Sequence, residues 1–178
     1  MKKIVGLFLA VMMFGMVGMA HASAVLNPTT GGDYYFYWSG FDQIDSIYTA
    51  DAPGGFATGT DLGSDWSITL ATASTLDLAT AWDGFVPGDV FGLKVDGQST
   101  NWTSTYFDGS GYFHGISEDL LLTAGSHSIT LDVLSGLAGG GAWASFSGTT
   151  PAVPEPSTFI LFGVGLAGAA FMRRRNKV

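Results

Sequence analysis

Turn residues limit segment length in this chain more than any other feature. Residues 23–153 hold 20 of its 26 glycines, and Asp and Ser join them to interrupt the sequence every few positions. No stretch between Ser23 and Val153 shows the 3.6-residue apolar period of a long amphipathic helix. What lies between interruptions is short and rich in Val, Ile, Thr, Tyr, Phe and Trp, the residues that suit a half-buried pleated surface. Strands are expected at 34–39, 46–50, 66–71, 75–82, 90–95, 102–107, 111–115, 119–122, 127–134 and 142–146. Turns are expected at Pro53-Gly54-Gly55, Pro87-Gly88-Asp89, Asp96-Gly97, Asp108-Gly109, Ala124-Gly125 and Gly139-Gly140-Gly141.

Alternation supports these strands and assigns faces. In 127–134, Ile129, Leu131 and Val133 share one side, with Ser128, Thr130 and Asp132 on the other. In 75–82, Leu76, Leu78 and Thr80 alternate with Asp77, Ala79 and Ala81. Phe91 and Leu93 have no strongly polar residue between them, which suggests a more central strand. The run Tyr34-Tyr35-Phe36-Tyr37-Trp38 buries either Tyr35 and Tyr37 or Tyr34, Phe36 and Trp38. Strands of this number and spacing predict a mainly β fold, a β-sandwich or jelly-roll-like domain over 23–152. That length can build one core without disulfides. Zero Cys excludes a disulfide scaffold, a thiol nucleophile and a cysteine zinc site.

Charge divides the chain into three parts. Six of the seven basic residues lie in the first three or last six positions. Residues 23–153 hold Lys94 against fourteen acids, a net charge of −13. A domain so acidic is no nucleic-acid binder, because phosphate contacts need Lys and Arg.

The two ends read as addresses. Met1-Lys2-Lys3 is a basic start, 4–18 is uncharged and apolar, and Ala20-His21-Ala22 fits the small-x-small rule for signal peptidase. The expectation is a cleaved signal helix over 1–22, with cleavage between Ala22 and Ser23. The apolar run is short for a membrane span of about 20 residues. At the other end, Val153, Pro154, Glu155, Pro156, Ser157 and Thr158 precede an apolar run at 159–172. Arg173, Arg174 and Arg175 open a basic tail over 173–178. The run predicts a short transmembrane helix, with the Arg cluster stopping transfer on the cytoplasmic side. Pro154 and Pro156 fix φ and lack N–H donors, so 153–158 stays extended at the membrane surface. That shape suits a protease cleft.

Motif, short apolar helix and terminal Arg cluster together resemble the PEP-CTERM sorting signal over 153–178. The resemblance implies recognition and cutting near Pro-Glu-Pro by an exosortase, a membrane transpeptidase-like protease of Gram-negative bacteria that make exopolysaccharide and biofilm. It implies passage through the inner membrane, a transient or permanent single-pass anchor, and then a cell-surface or extracellular location. The stretch 85–97 resembles a strand and turn common in PEP-CTERM ectodomains. The stretch 122–131 resembles a strand of galactose-binding-like jelly rolls.

Catalytic signatures are lacking. The chain has no G-x-S-x-G elbow, H-E-x-x-H pair or phosphate loop. Its many carboxylates single out no glycosidase pair, so it reads as a non-enzyme. No cofactor is expected. Asp108, Glu118 and Asp119, near His114, form a weak metal candidate whose spacing matches no standard loop, with Ca²⁺ the cation suited to oxygen ligands. His127 is expected on the polar face of its strand, at a surface or edge. Trp66, Trp82, Trp102 and Trp143, with the 34–38 run, could stack on sugars or fill the core. The function expected is that of an exported, non-enzymatic surface or matrix protein linked to exopolysaccharide. The alternatives are a carbohydrate-binding module or adhesin, and then a secreted glycoside hydrolase.

Overall fold

The computed structural model describes residues 22–152. The expected signal helix and C-terminal transmembrane helix lie outside the described residues. Within them the chain is mainly β, with thirteen strands in two sheets. These are β1 (Ala24–Val25), β2 (Gly32–Trp38), β3 (Ser46–Ala50), β4 (Ala57–Thr58), β5 (Trp66–Leu70), β6 (Ser74–Trp82) and β7 (Val90–Val95). They continue as β8 (Gln98–Thr100), β9 (Ser104–Phe107), β10 (Phe113–Leu122), β11 (Gly125–Ser135), β12 (Gly140–Phe146) and β13 (Thr149–Pro151).

One sheet has the order β1-β5-β11-β7-β8. The other has the order β4-β3-β2-β12-β6-β10-β9, with β13 also paired to β6. Among the described residues only β1 and β5 pair in parallel. Aromatic rings knit the two sheets face to face. Phe36 lies 5.1 Å from Phe91 and 6.3 Å from Trp66, both edge-on. Trp38 meets Phe91 at 5.3 Å, and Tyr34 meets Trp66 at 5.8 Å. Edge-on contacts at these separations are the favoured geometry for paired rings. Ile129, Leu131 and Val133 of β11 complete this core from the five-stranded side.

The open choice in the aromatic run is thereby decided. Tyr34, Phe36 and Trp38 are buried, while Tyr35 and Tyr37 face outward. Trp66 is core as well, and Trp102 packs against the core with its indole N–H donating to Phe91 O at 2.8 Å.

Three expectations need correction. The separate strands at 111–115 and 119–122 are one strand, β10, because pairing along β6 carries it through Gly115 and Ser117. The faces assigned to 75–82 change partway. Leu76 is buried, but Leu78 is exposed and Ala79 and Ala81 are buried. The inward-facing positions are offset by one residue at the same level of β6 and β10, while the pairing registers of β6 with β10, β12 and β13 run through unshifted. Leu78 N donates to Ser147 Oγ at 2.7 Å, and Asp119, between the pairs Glu118–Leu78 and Leu120–Leu76, takes a positive φ of 55°. Third, Gly140 and Gly141 belong to β12 rather than to a turn. The short strands β1, β4, β8 and β13 also went unanticipated.

The Asp96-Gly97 turn behaves as the sequence suggests. Both residues have positive φ, 52° and 74°, as a two-residue hairpin turn between β7 and β8 requires.

Replacing Phe36 by Ala removes the ring between Trp66 and Phe91. Urea unfolding of the exported protein should show a loss of about 3–5 kcal/mol. Leu78→Ser, on the exposed side of the offset, should stay within about 0.5 kcal/mol of the parent.

Candidate functional site

Period-2 geometry sends every second residue of a strand to the outer face. On the eight-stranded sheet, strand register places six rings side by side there. Tyr48 pairs with Tyr35, Tyr35 with Trp143, and Trp143 with Trp82. Trp82 then pairs with His114, and His114 with Tyr106. The row crosses β3, β2, β12, β6, β10 and β9.

The rings form two stacks. Trp143 is near-parallel to Trp82 at 6.1 Å and to Phe85 at 4.7 Å. Tyr106 and His114 stack at 4.6 Å with only 1° between their planes. Tyr35 meets Trp143 and Phe85 edge-on, and tilts against Tyr37. Three rings keep about half their surface in solvent: Tyr37 at 49%, Phe85 at 54% and Tyr106 at 49%.

Two glycines and two buried acids hold this arrangement. A Cβ on Gly84 would collide with the Trp143 ring, and one on Gly141 with the Tyr35 hydroxyl. The loop after β6 is pinned at both ends. Asp83 accepts from Gly84 N at 2.6 Å and Phe85 N at 3.0 Å, and Asp89 accepts from Leu137 N at 2.7 Å. Burial pushes the Asp83 carboxyl above its ordinary range, against the pull of those N–H donors, and Asp89 adds to the rise. The indole N–H of Trp143 donates to Gly55 O at 2.8 Å, tying a second loop to the row.

A second row, polar except for Ile116, runs beside the aromatic one, two residues along β2, β12, β6, β10 and β9. Asp33 pairs with Ser145, Ser145 with Thr80, Thr80 with Ile116, and Ile116 with Ser104. Ser145 Oγ donates to Asp33 Oδ1. The face therefore presents rings and hydroxyl or carboxylate groups in parallel lines.

The candidate metal residues are not brought together. Asp108 caps its own turn, accepting from Ser110 N at 2.8 Å and Tyr112 N at 3.1 Å, and lies 3.5 Å from His114 Nε2. Those turn amides, with His114 as a lesser cause, hold its carboxyl below the usual range. Glu118 sits on β10, where its backbone N–H donates to Thr103 Oγ1 just before β9, and Asp119 is exposed at the offset. Among the described residues no three His, Cys, Asp or Glu side chains are grouped to hold a metal ion.

His127 is less exposed than expected, with only 9% of its side chain in solvent. Nδ1 lies 2.8 Å from Asp96 Oδ2, and Nε2 lies 2.9 Å from Thr123 O. Both partners are acceptors, so the doubly protonated ring satisfies both. The Asp96 hydrogen bond, then the Thr123 carbonyl, raise the His127 pKa, and the same contact lowers that of Asp96. This group is a staple between the β7–β8 hairpin and the start of β11.

Both ends of the described residues are tied into the domain. Ser23 Oγ donates to Asp65 Oδ1 at 2.8 Å, and Ala24 pairs with Trp66. Of the expected cleavage residues, Ala22 and Ser23 are described and Ala20 is not. At the other end β13 pairs with the start of β6, and Ala152 N donates to Ala73 O at 2.9 Å. The motif residues Val153 to Thr158 and the cluster Arg173 to Arg175 lie outside the described residues.

The family model of the PEP-CTERM protein-sorting motif matches residues 152–175. The match begins where β13 has just ended. The chain thus carries a C-terminal sorting and anchor region, which implies export and exosortase-dependent sorting with exosortase as the recognising partner. No curated protein matches the chain.

The His127 contacts set a pH dependence. A histidine ordinarily titrates near 6.5, and here the folded value is higher. Its contribution is fully present below about 6.5 and is lost as pH rises through the folded value. Asp96 works in the opposite sense, contributing above the ordinary carboxylate range near 3.9 and losing that share as pH falls. The thermal midpoint should therefore fall as pH rises from 6 through 8. His127→Gln should flatten that slope, and a variant with the parental slope would refute the assignment.

Proposed function

We propose that this is a non-enzymatic exported protein of a Gram-negative cell. Signal peptidase frees the domain at Ser23, and exosortase acts through the Pro154-Glu155-Pro156 segment. The product resides at the cell surface or in the extracellular matrix, in association with exopolysaccharide. The observation that carries this reading is the sorting motif joined directly to the last strand of a β domain. A membrane-side protease then meets a Pro-rich segment with a folded domain on one side and an apolar run on the other.

The aromatic outer face favours a second, compatible reading, that of a carbohydrate-binding module or adhesin. Calcium enters it through charge. A domain of net −13 is repelled by anionic polymers unless cations bridge them.

Mass spectrometry of the protein from cells with active exosortase should find a chain that starts at Ser23 and ends near Pro154. An intact 159–178 tail under those conditions would overturn the sorting claim. Replacing Pro154, Glu155 and Pro156 together by Ala should leave the unprocessed chain in the inner membrane, read by fractionation and immunoblot.

A further inference from the structure

We propose that the outer face of the eight-stranded sheet binds a neutral polysaccharide chain laid along the row from Tyr48 to Tyr106. This site-level assignment rests on the carbohydrate-binding reading above. Four observations lead to it.

The first is length. Six adjacent strands carry the row. Five steps at about 4.8 Å give roughly 24 Å, a track for a chain rather than a single sugar. The second is ring presentation. Tyr106 has one face against His114 and Phe85 one face against Trp143, yet both are about half exposed. Each stack thus ends in a ring with open π surface. Pyranose C–H groups, weakly positive, meet such a surface as the edge of another ring does.

The third is the polar row. Asp33, Ser145, Thr80 and Ser104 share the outer face with the rings and are all at least partly solvent-exposed. A sugar stacked on the rings places its hydroxyls beside these donors and acceptors. The fourth is charge. Lys94, the one base in 23–153, belongs to β7 of the other sheet and pairs with Asp132 at 2.5 Å. The face offers Asp33 and Asp108 but no Lys or Arg, so an anionic polymer is repelled and a neutral one is not. A second copy, equally acidic, meets the same repulsion.

The placement of the face suits a tethered domain. β6 starts at Ser74 beside the tail-bearing β13 and ends at Trp82 in the aromatic row. Eight steps of about 3.3 Å set the row roughly 26 Å from the point where the sorting segment leaves.

The test is affinity electrophoresis of the secreted, processed protein in hydroxyethyl cellulose, galactomannan and alginate gels, each with and without EDTA. The parent should be retarded in at least one neutral gel, independently of EDTA, and not in alginate. Tyr106→Ala with Phe85→Ala should weaken that retardation at least about tenfold. Phe107→Ala removes an exposed ring from the opposite side of β9 and should leave it unchanged. Thermal midpoints check that each variant is folded. Retardation that survives the double variant overturns this site but leaves the carbohydrate-binding reading standing. No retardation in any of the three gels, with or without EDTA, overturns both. Calcium-dependent binding to alginate alone overturns the neutral ligand. A dimer in sedimentation that the double variant disrupts assigns the face to a second copy and overturns the proposal.

Discussion

The fold turns on which residues of β2 point inward. Tyr34, Phe36 and Trp38 enter the space between the sheets and meet Trp66 and Phe91 from the other side. A slip of one residue would put Tyr35 and Tyr37 there instead and send the core rings into solvent. Each strand face carries rings, so hydrophobicity alone separates the two registers weakly. Specific contacts break the tie. The Trp38 indole N–H donates to Leu137 O at 3.1 Å, and Tyr35 lies across Gly141, where a side chain would not fit.

The same alternation generates the candidate site. Once β2 is fixed, pairing with β12 and β3 fixes Trp143 and Tyr48 beside Tyr35. Pairing of β12 with β6, and of β6 with β10, then carries the row to Trp82 and His114. The core and the outer row are thus two consequences of one register. The loop after β6 adds Phe85, held by carboxylates that accept backbone N–H groups at both of its ends. Rings fixed this way lose little further freedom when a ligand binds, which lowers the entropic cost of association.

Much of the fold was legible because turn residues and alternation act locally. The strand at 127–134 shows it best, with Ile129, Leu131 and Val133 buried as their spacing requires. The departures come from segments too short to show a period and from pairing between strands distant in sequence. β1, β4 and β13 hold two or three residues each, too few for any period to register. Gly115 and Ser117 look like breaks in β10, yet pairing with β6 overrides weak propensity. The offset at Leu78 depends on Ser147, 69 positions away in sequence, so no window around 75–82 contains it. Among the candidate residues, Asp108, Glu118 and Asp119 are close in sequence, but a strand path and a turn cap separate their carboxylates. For the aromatic row the sequence held a clue in Gly84 and Gly141, small residues set where rings come closest.

The sequence by itself determined the mainly β character, the acidity of the middle and the sorting motif at the end. Each of these is a property of composition or of a contiguous segment, so it survives without knowledge of the fold. Only the tertiary structure decided which rings of 34–38 are core, that His127 is a half-buried staple, and that Tyr48, Tyr35, Trp143, Trp82, His114 and Tyr106 share one line. Those six residues span 95 positions from first to last in the chain order. Their alignment is set by hydrogen-bond register between strands distant in sequence, which no local pattern encodes.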